Sequence, residues 1–100
     1  MCDLLFVYGT LRRGFDNPHA SLLHARSEFI GEATVRGTTC AVGDHRAFLP
    51  GTDGEVHGEL YRLETPVATL AALDDYEGDE YERVIVDASG QPAWIYQARR

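Results

Sequence analysis

Between Leu73 and Arg83 the chain sets six carboxylates and two tyrosines around a single glycine, Gly78. Such a density of acid reads either as a solvated loop or as the setting of one carboxylate that works as a general acid/base. Helical phase separates the candidates. Thr65-Pro66 is a strong helix start, a hydroxyl N-cap before a proline at the first helical position. Val67–Tyr76 is rich in helix formers, and Gly78 is placed to stop the helix. At ~100° per residue with Glu77 at zero, Leu73 lies about 40° away, Leu70 about 20°, Asp74 about 60° and Asp75 roughly opposite. Glu77 therefore continues the apolar stripe that packs on the rest of the protein. Asp75 faces water, and Asp79, Glu80 and Glu82 follow the glycine into a loop. Burial raises the pKa of a carboxyl, and the negative end of the helix dipole adds to the rise. Both suit Glu77 to proton transfer near neutral pH. A purely structural role, pairing with Arg83 or capping a backbone group, is the competing expectation.

A second stretch can bind rather than react. Asp3–Tyr8 is an almost continuous apolar run that reads as a buried strand, and Gly9 stops it. Gly9-Thr10-Leu11-Arg12-Arg13-Gly14 is a loop bracketed by glycines, after which Asn17-Pro18 opens a short helix to about Ala25. Strand, glycine loop and helix start leave backbone N–H groups without partners, and such groups take a carboxylate or a phosphate; the same arrangement also serves as a plain strand-to-helix turn. The loop lacks the Gly-Lys-Ser/Thr ending of a phosphate loop. His19, His24, His45 and His57 have no metal-ligand spacing. Ser21, Ser27 and Ser89 lack a nucleophile-elbow context. Cys2 and Cys40 form no CxxC pair and read as free thiols, so no metal site is expected.

These two stretches must be held by the remaining elements. Glu28–Arg36 and Thr38–Val42 read as two strands of a meander, Gly43–Arg46 as a turn, and Ala47–Gly54 as a loop ending in the tight Asp53-Gly54 turn. Glu55–Leu63 is a long strand in which Gly58 signals a bulge or the close approach of another backbone. Tyr81–Asp87 and Ala93–Ala98 form a hairpin around Ala88–Gln91. The pattern is α+β: a mostly antiparallel sheet, closed into a small β-barrel, flanked by two helices. Residues 1–100 are expected to form a single domain. Sixteen acidic against nine basic residues give a net charge of −7, which argues against nucleic acid and anionic membranes as partners. No signal peptide or membrane-spanning run is legible, so a soluble cytoplasmic protein is expected.

Taken together, the two stretches resemble a known family. Phe6-Val7-Tyr8-Gly9-Thr10-Leu11-Arg12-Arg13-Gly14, followed by Asn17-Pro18-His19, resembles the N-terminal signature of the gamma-glutamylcyclotransferase-like family, in particular its short members, which include the gamma-glutamylamine cyclotransferases. Leu73-Asp74-Asp75-Tyr76-Glu77-Gly78 is similar to the second signature, and Gly58–Tyr61 and Tyr81–Arg83 to lesser landmarks. The resemblance implies a small β-barrel flanked by helices and a reaction without cofactor. In that reaction the α-amine of a γ-glutamyl group attacks its own γ-carbonyl carbon, giving 5-oxoproline and a free amine or amino acid. It further implies that Glu77 is the catalytic acid/base and that Tyr8, Gly9, Thr10 and Leu11 bind the glutamyl end of a small-molecule substrate. The acidic residues after Glu77 would favour a cationic leaving group. The rival expectation is a non-catalytic module that holds a small carboxylate or amine in the same pocket.

Overall fold

The computed structural model describes residues 2–43 and 45–99, without the side chains of His45 and Thr52. Five strands and two helices follow one another as β1 (Leu4–Val7), α1 (Pro18–Ala25), β2 (Ser27–Val42), β3 (His45–Leu63), α2 (Pro66–Glu77), β4 (Tyr81–Ala88) and β5 (Gln91–Ala98). The strand order is β2-β3-β1-β5-β4. Three pairings are antiparallel, whereas β1 meets β5 in parallel at Leu5 and Trp94. A further parallel contact, Phe48 with Gln97, joins β3 to β5 and closes the sheet into a barrel. The expected small α+β barrel with two helices against it is the fold found.

β1 is apolar throughout because both of its faces are covered. Leu4 and Phe6 join the barrel interior with Val35, Phe48, Leu60 and Ile95. Leu5 and Val7 face outward into a second core, where Leu23 of α1 and Leu70 and Leu73 of α2 pack. Alternate residues of one strand thus serve two layers, as the period-2 geometry of a strand requires.

Two expectations are corrected. Glu28–Arg36 and Thr38–Val42 are one strand, β2, whose register with β3 shifts between Arg36 and Gly37. Residues 47–54 are not a loop but part of β3: Ala47, Phe48, Leu49 and Pro50 pair with Cys40, Thr39, Thr38 and Gly37. The breaker residues sit at the irregularity. Pro50 pairs with Gly37 while Glu55 pairs with Arg36, so residues 51–54 lie between successive partners on β2, and Gly54 there has φ +84°. Proline and glycine are accommodated at such a bulge without ending the strand. The turn from 43 to 46 is tighter than expected, since β3 begins at His45; Asp44 lies outside the described residues.

Gly58 is a close approach, as its place in a strand suggested. A β-carbon there would land on the Val7 carbonyl oxygen and within 2.7 Å of the Phe6 ring. The hairpin turn is Ser89-Gly90, with φ +49° and +91°, the left-handed pair of a type I′ turn. Its Ser89 N–H donates to the Thr34 carbonyl at 3.0 Å, and the Thr34 N–H donates to Ser89 Oγ at 3.0 Å, tying the hairpin end to β2.

Candidate active site

α2 carries Glu77 to its position. Thr69, Leu70 and Leu73 are the buried residues of the helix, and Glu77, one turn beyond Leu73, extends that face to a half-buried position. Gly78 ends the helix with φ +76° and donates its N–H to the Asp74 carbonyl at 3.1 Å. The Thr65 side chain makes no cap hydrogen bond to the backbone, although its hydroxyl lies 3.3 Å from that of Thr69. At α1 the cap is complete, Asn17 Oδ1 accepting from the Ala20 N–H at 2.8 Å.

Beyond the end of α2 lies a cavity of about 520 Å³, lined by Glu77 together with Tyr8, Gly9, Thr10 and Leu11. All five residues singled out in the sequence therefore share one space. Burial pushes the Glu77 carboxyl up to about 7. Among the described residues it has no hydrogen-bond or ion-pair partner. The competing pairing with Arg83 is not made. Arg83 instead forks onto Asp74, Nε to Oδ1 at 2.9 Å and Nη2 to Oδ2 at 3.0 Å.

The loop facing Glu77 is held from outside. Its carbonyl oxygens are engaged: Gly9 accepts from the Arg12 N–H at 3.2 Å, Thr10 from Asn17 Nδ2 at 2.9 Å, and Leu11 from His24 Nε2 at 2.8 Å. The Arg13 N–H donates to Glu59 Oε1 at 2.8 Å, and the Tyr61 hydroxyl donates to the same oxygen at 3.0 Å. Among the described residues nothing pairs with the N–H groups of Gly9, Thr10 or Leu11. The loop is tied down through its carbonyls while its N–H groups stay unpaired among the described residues, a combination that suits a carboxylate.

Tyr8 differs from its neighbours. Its ring lines the cavity, but its hydroxyl donates to the Tyr96 carbonyl at 2.6 Å and accepts from the Phe48 N–H at 2.7 Å. Burial pushes this phenol well above its ordinary range, outweighing the bond from Phe48. Its hydroxyl is committed to the barrel wall.

Several cavity residues carried no signal of their own in the sequence. Tyr96 and Tyr81 arrive from β5 and β4, and Tyr76 stands at the rim, stacked on His19 at 3.8 Å between ring centres and 3.4 Å from the Thr10 hydroxyl. Of the acidic residues after Glu77, Glu80 lines the cavity, together with Arg12 and Arg46. The charge at the rim is thus mixed, which removes the sequence-based case for a cationic leaving group. A basic carboxylate that shares a cavity with a loop whose N–H groups are unpaired among the described residues can accept a proton from one nitrogen and return it to another while that loop holds an anionic end.

The sequence profile described as "Gamma-glutamyl cyclotransferase, AIG2-like" matches residues 5–100. The chain belongs to this family. It is 33% identical over 99 residues to the gamma-glutamylcyclotransferase family protein YtfP of Escherichia coli (strain K12), covering 96% of this chain and 82% of that protein. It is 33% identical over 96 residues to gamma-glutamylaminecyclotransferase A of Danio rerio, covering 86% of this chain and 58% of that one. The fold matches the crystal structure of an AIG2-like protein from Mus musculus with a TM-score of 0.77 and 26% identity, over 96% of this chain and 76% of that chain. At the level of the family, the chain is a gamma-glutamylcyclotransferase-like enzyme. Among the described residues no helix is long and apolar enough to cross a membrane.

Proposed function

We propose that this protein converts a γ-glutamyl amine or γ-glutamyl amino acid into 5-oxoproline and the free amine, with Glu77 as the general acid/base. The observation that carries this reading is the Glu77 carboxyl, without a partner among the described residues and raised to about 7, lining one cavity with the loop 8–11. The substrate's α-carboxylate lies on the free N–H groups of Gly9, Thr10 and Leu11, and the walls fold the glutamyl chain so that its α-nitrogen meets the γ-carbonyl carbon. That nitrogen gives a proton to Glu77 as the new C–N bond forms. Glu77 then hands the proton to the departing nitrogen, and the old C–N bond breaks. A carboxyl with a pKa near the working pH serves both halves of the transfer. Holding the two ends together supplies much of the remaining acceleration, because the ring closure is intramolecular.

The test is a screen of γ-glutamyl amines and γ-glutamyl amino acids for 5-oxoproline release. Release from at least one class, and its loss by a factor of 100 or more in Glu77→Gln (~10²–10⁴ for general acid–base catalysis), is the expected result. No release from any of them, or full activity in Glu77→Gln, would sink the reading.

A further inference from the structure

Asp74 stands one helical turn before Glu77, and its carboxylate is fully engaged. Oδ1 accepts from the Tyr96 hydroxyl at 2.7 Å and from Arg83 Nε at 2.9 Å, and Oδ2 accepts from Arg83 Nη2 at 3.0 Å. Arg83 is fixed in turn by the Trp94 ring, whose centre lies 4.2 Å from the guanidinium carbon. The two donors come from β4 and β5, the acceptor from α2, so the unit clips the last turn of the helix onto the hairpin. Tyr96 also lines the cavity beside Glu77. Residues three apart on a helix are surface neighbours. The Tyr96 hydroxyl donates its only proton to Asp74, while Glu77 lies near enough for its charge to act on the same phenol.

We propose that Asp74 is a positioning residue that holds the Tyr96 hydroxyl away from Glu77, so that Glu77 meets the substrate without a hydrogen bond from that phenol. This rests on the acid/base reading of Glu77. A donor bonded to the charged form of a carboxylate stabilises it and makes it a weaker base. Desolvation pushes Asp74 up, but its bonds from Arg83 and Tyr96 outweigh this and hold it below the ordinary range. Asp74 thus stays an anion and the better acceptor, and Glu77 keeps its basicity. The other charged and titratable groups around the cavity arrive from every side: Tyr8 after β1, Arg12 of the loop, Arg46 of β3, Tyr76 of α2, whose hydroxyl lies against that of Thr10, Glu80 just before β4, and Tyr81 at its start. Cys40 of β2 lies close enough to act on the charge of Tyr8 and Tyr81. None of these donates a hydrogen bond to Glu77 in the structure.

The experiment is the titration of Glu77 itself, by carbon-13 NMR of protein labelled at its glutamate carboxyls, the signal being assigned as the one missing from Glu77→Gln. Asp74→Ala and Asp74→Asn both remove the charge, but Asn keeps an acceptor for Tyr96. The Glu77 pKa is expected to lie lower in Asp74→Ala than in Asp74→Asn by about one pH unit. Equal values in the two would overturn the proposal, because charge alone would then account for any change. Tyr96→Phe provides a second measurement should Asp74→Ala fail to fold. Its Glu77 pKa is expected at the wild-type value, and a rise would mean that the hydroxyl already serves Glu77. These titrations do not depend on turnover, so the assignment of the reaction can fail in the substrate screen while this inference stands.

Discussion

At the scale of the residue, Glu77 is a carboxylate kept at a cost to the fold. Its pKa of about 7 when folded stands against an ordinary 4.5. Between these values the folded chain binds more protons than the unfolded one, so stability falls as pH rises through that window, and the loss is complete above about 7. Glu77→Gln is therefore expected to be more stable than wild type at pH 8, by about 1–3 kcal/mol, with the gain vanishing near pH 4. Thermal melts of both proteins at the two pH values check this. The same pKa sets the rate. If Glu77 accepts the first proton, kcat/KM is expected to climb with pH and level off above about 7, the value for the free enzyme. A flat profile between pH 5 and 8 would exclude Glu77 as the base.

At the scale of the element, the loop 9–14 and the end of α2 are each fixed from a neighbouring strand. Glu59 on β3 holds the Arg13 N–H, and Arg83 on β4 holds Asp74. β1 must also lie close against β3, and Gly58 permits it: any side chain there meets the Val7 carbonyl and the Phe6 ring. Since Val7 leads directly into the loop, a displacement of β1 passes to the site. Gly58→Ala is expected to lower stability by about 2–3 kcal/mol through overpacking. Urea unfolding should show a lower midpoint with an unchanged slope. An unaltered midpoint would mean that β1 shifts freely.

At the scale of the whole molecule, the cavity lies beside the seam that closes the barrel, and a side chain supplements the backbone ladder there. β3 and β5 meet in the ladder at Phe48 and Gln97. Beside that point the Tyr8 hydroxyl stands between the Phe48 N–H and the Tyr96 carbonyl, bonded to both. Two backbone groups that a tighter barrel would pair directly are bridged by a phenol oxygen, and the space beside it is the cavity. Tyr8→Phe leaves a buried N–H and a carbonyl without that partner. The expected loss is about 2–4 kcal/mol of stability, read as a fall in denaturation midpoint.

How much of this was legible beforehand follows from the range of the interactions involved. An apolar run marked β1, cap and helix-forming residues marked both helices, turn residues marked the hairpin, and helical phase picked Glu77 out of the six acids, because each depends on residues within a turn or two of one another. The two signatures marked the loop 8–11 and the end of α2 as partners. Local signals misled at residues 47–54, where Pro50 and Gly54 read as a loop until pairing with β2 absorbed them into a bulge. What the chain order could not convey was how side chains are shared between distant elements. The Tyr8 hydroxyl is spent on a residue 88 positions away, and Tyr96 donates to Asp74 across 22. Arg83, a fitting partner for Glu77 by sequence distance, belongs to Asp74 because β4 crosses α2 a turn earlier. Sequence by itself determined which carboxylate points inward. Only the tertiary structure decided that, among the described residues, this carboxylate is left without a partner, since that depends on where donors such as Arg83 and Tyr96 are already bound.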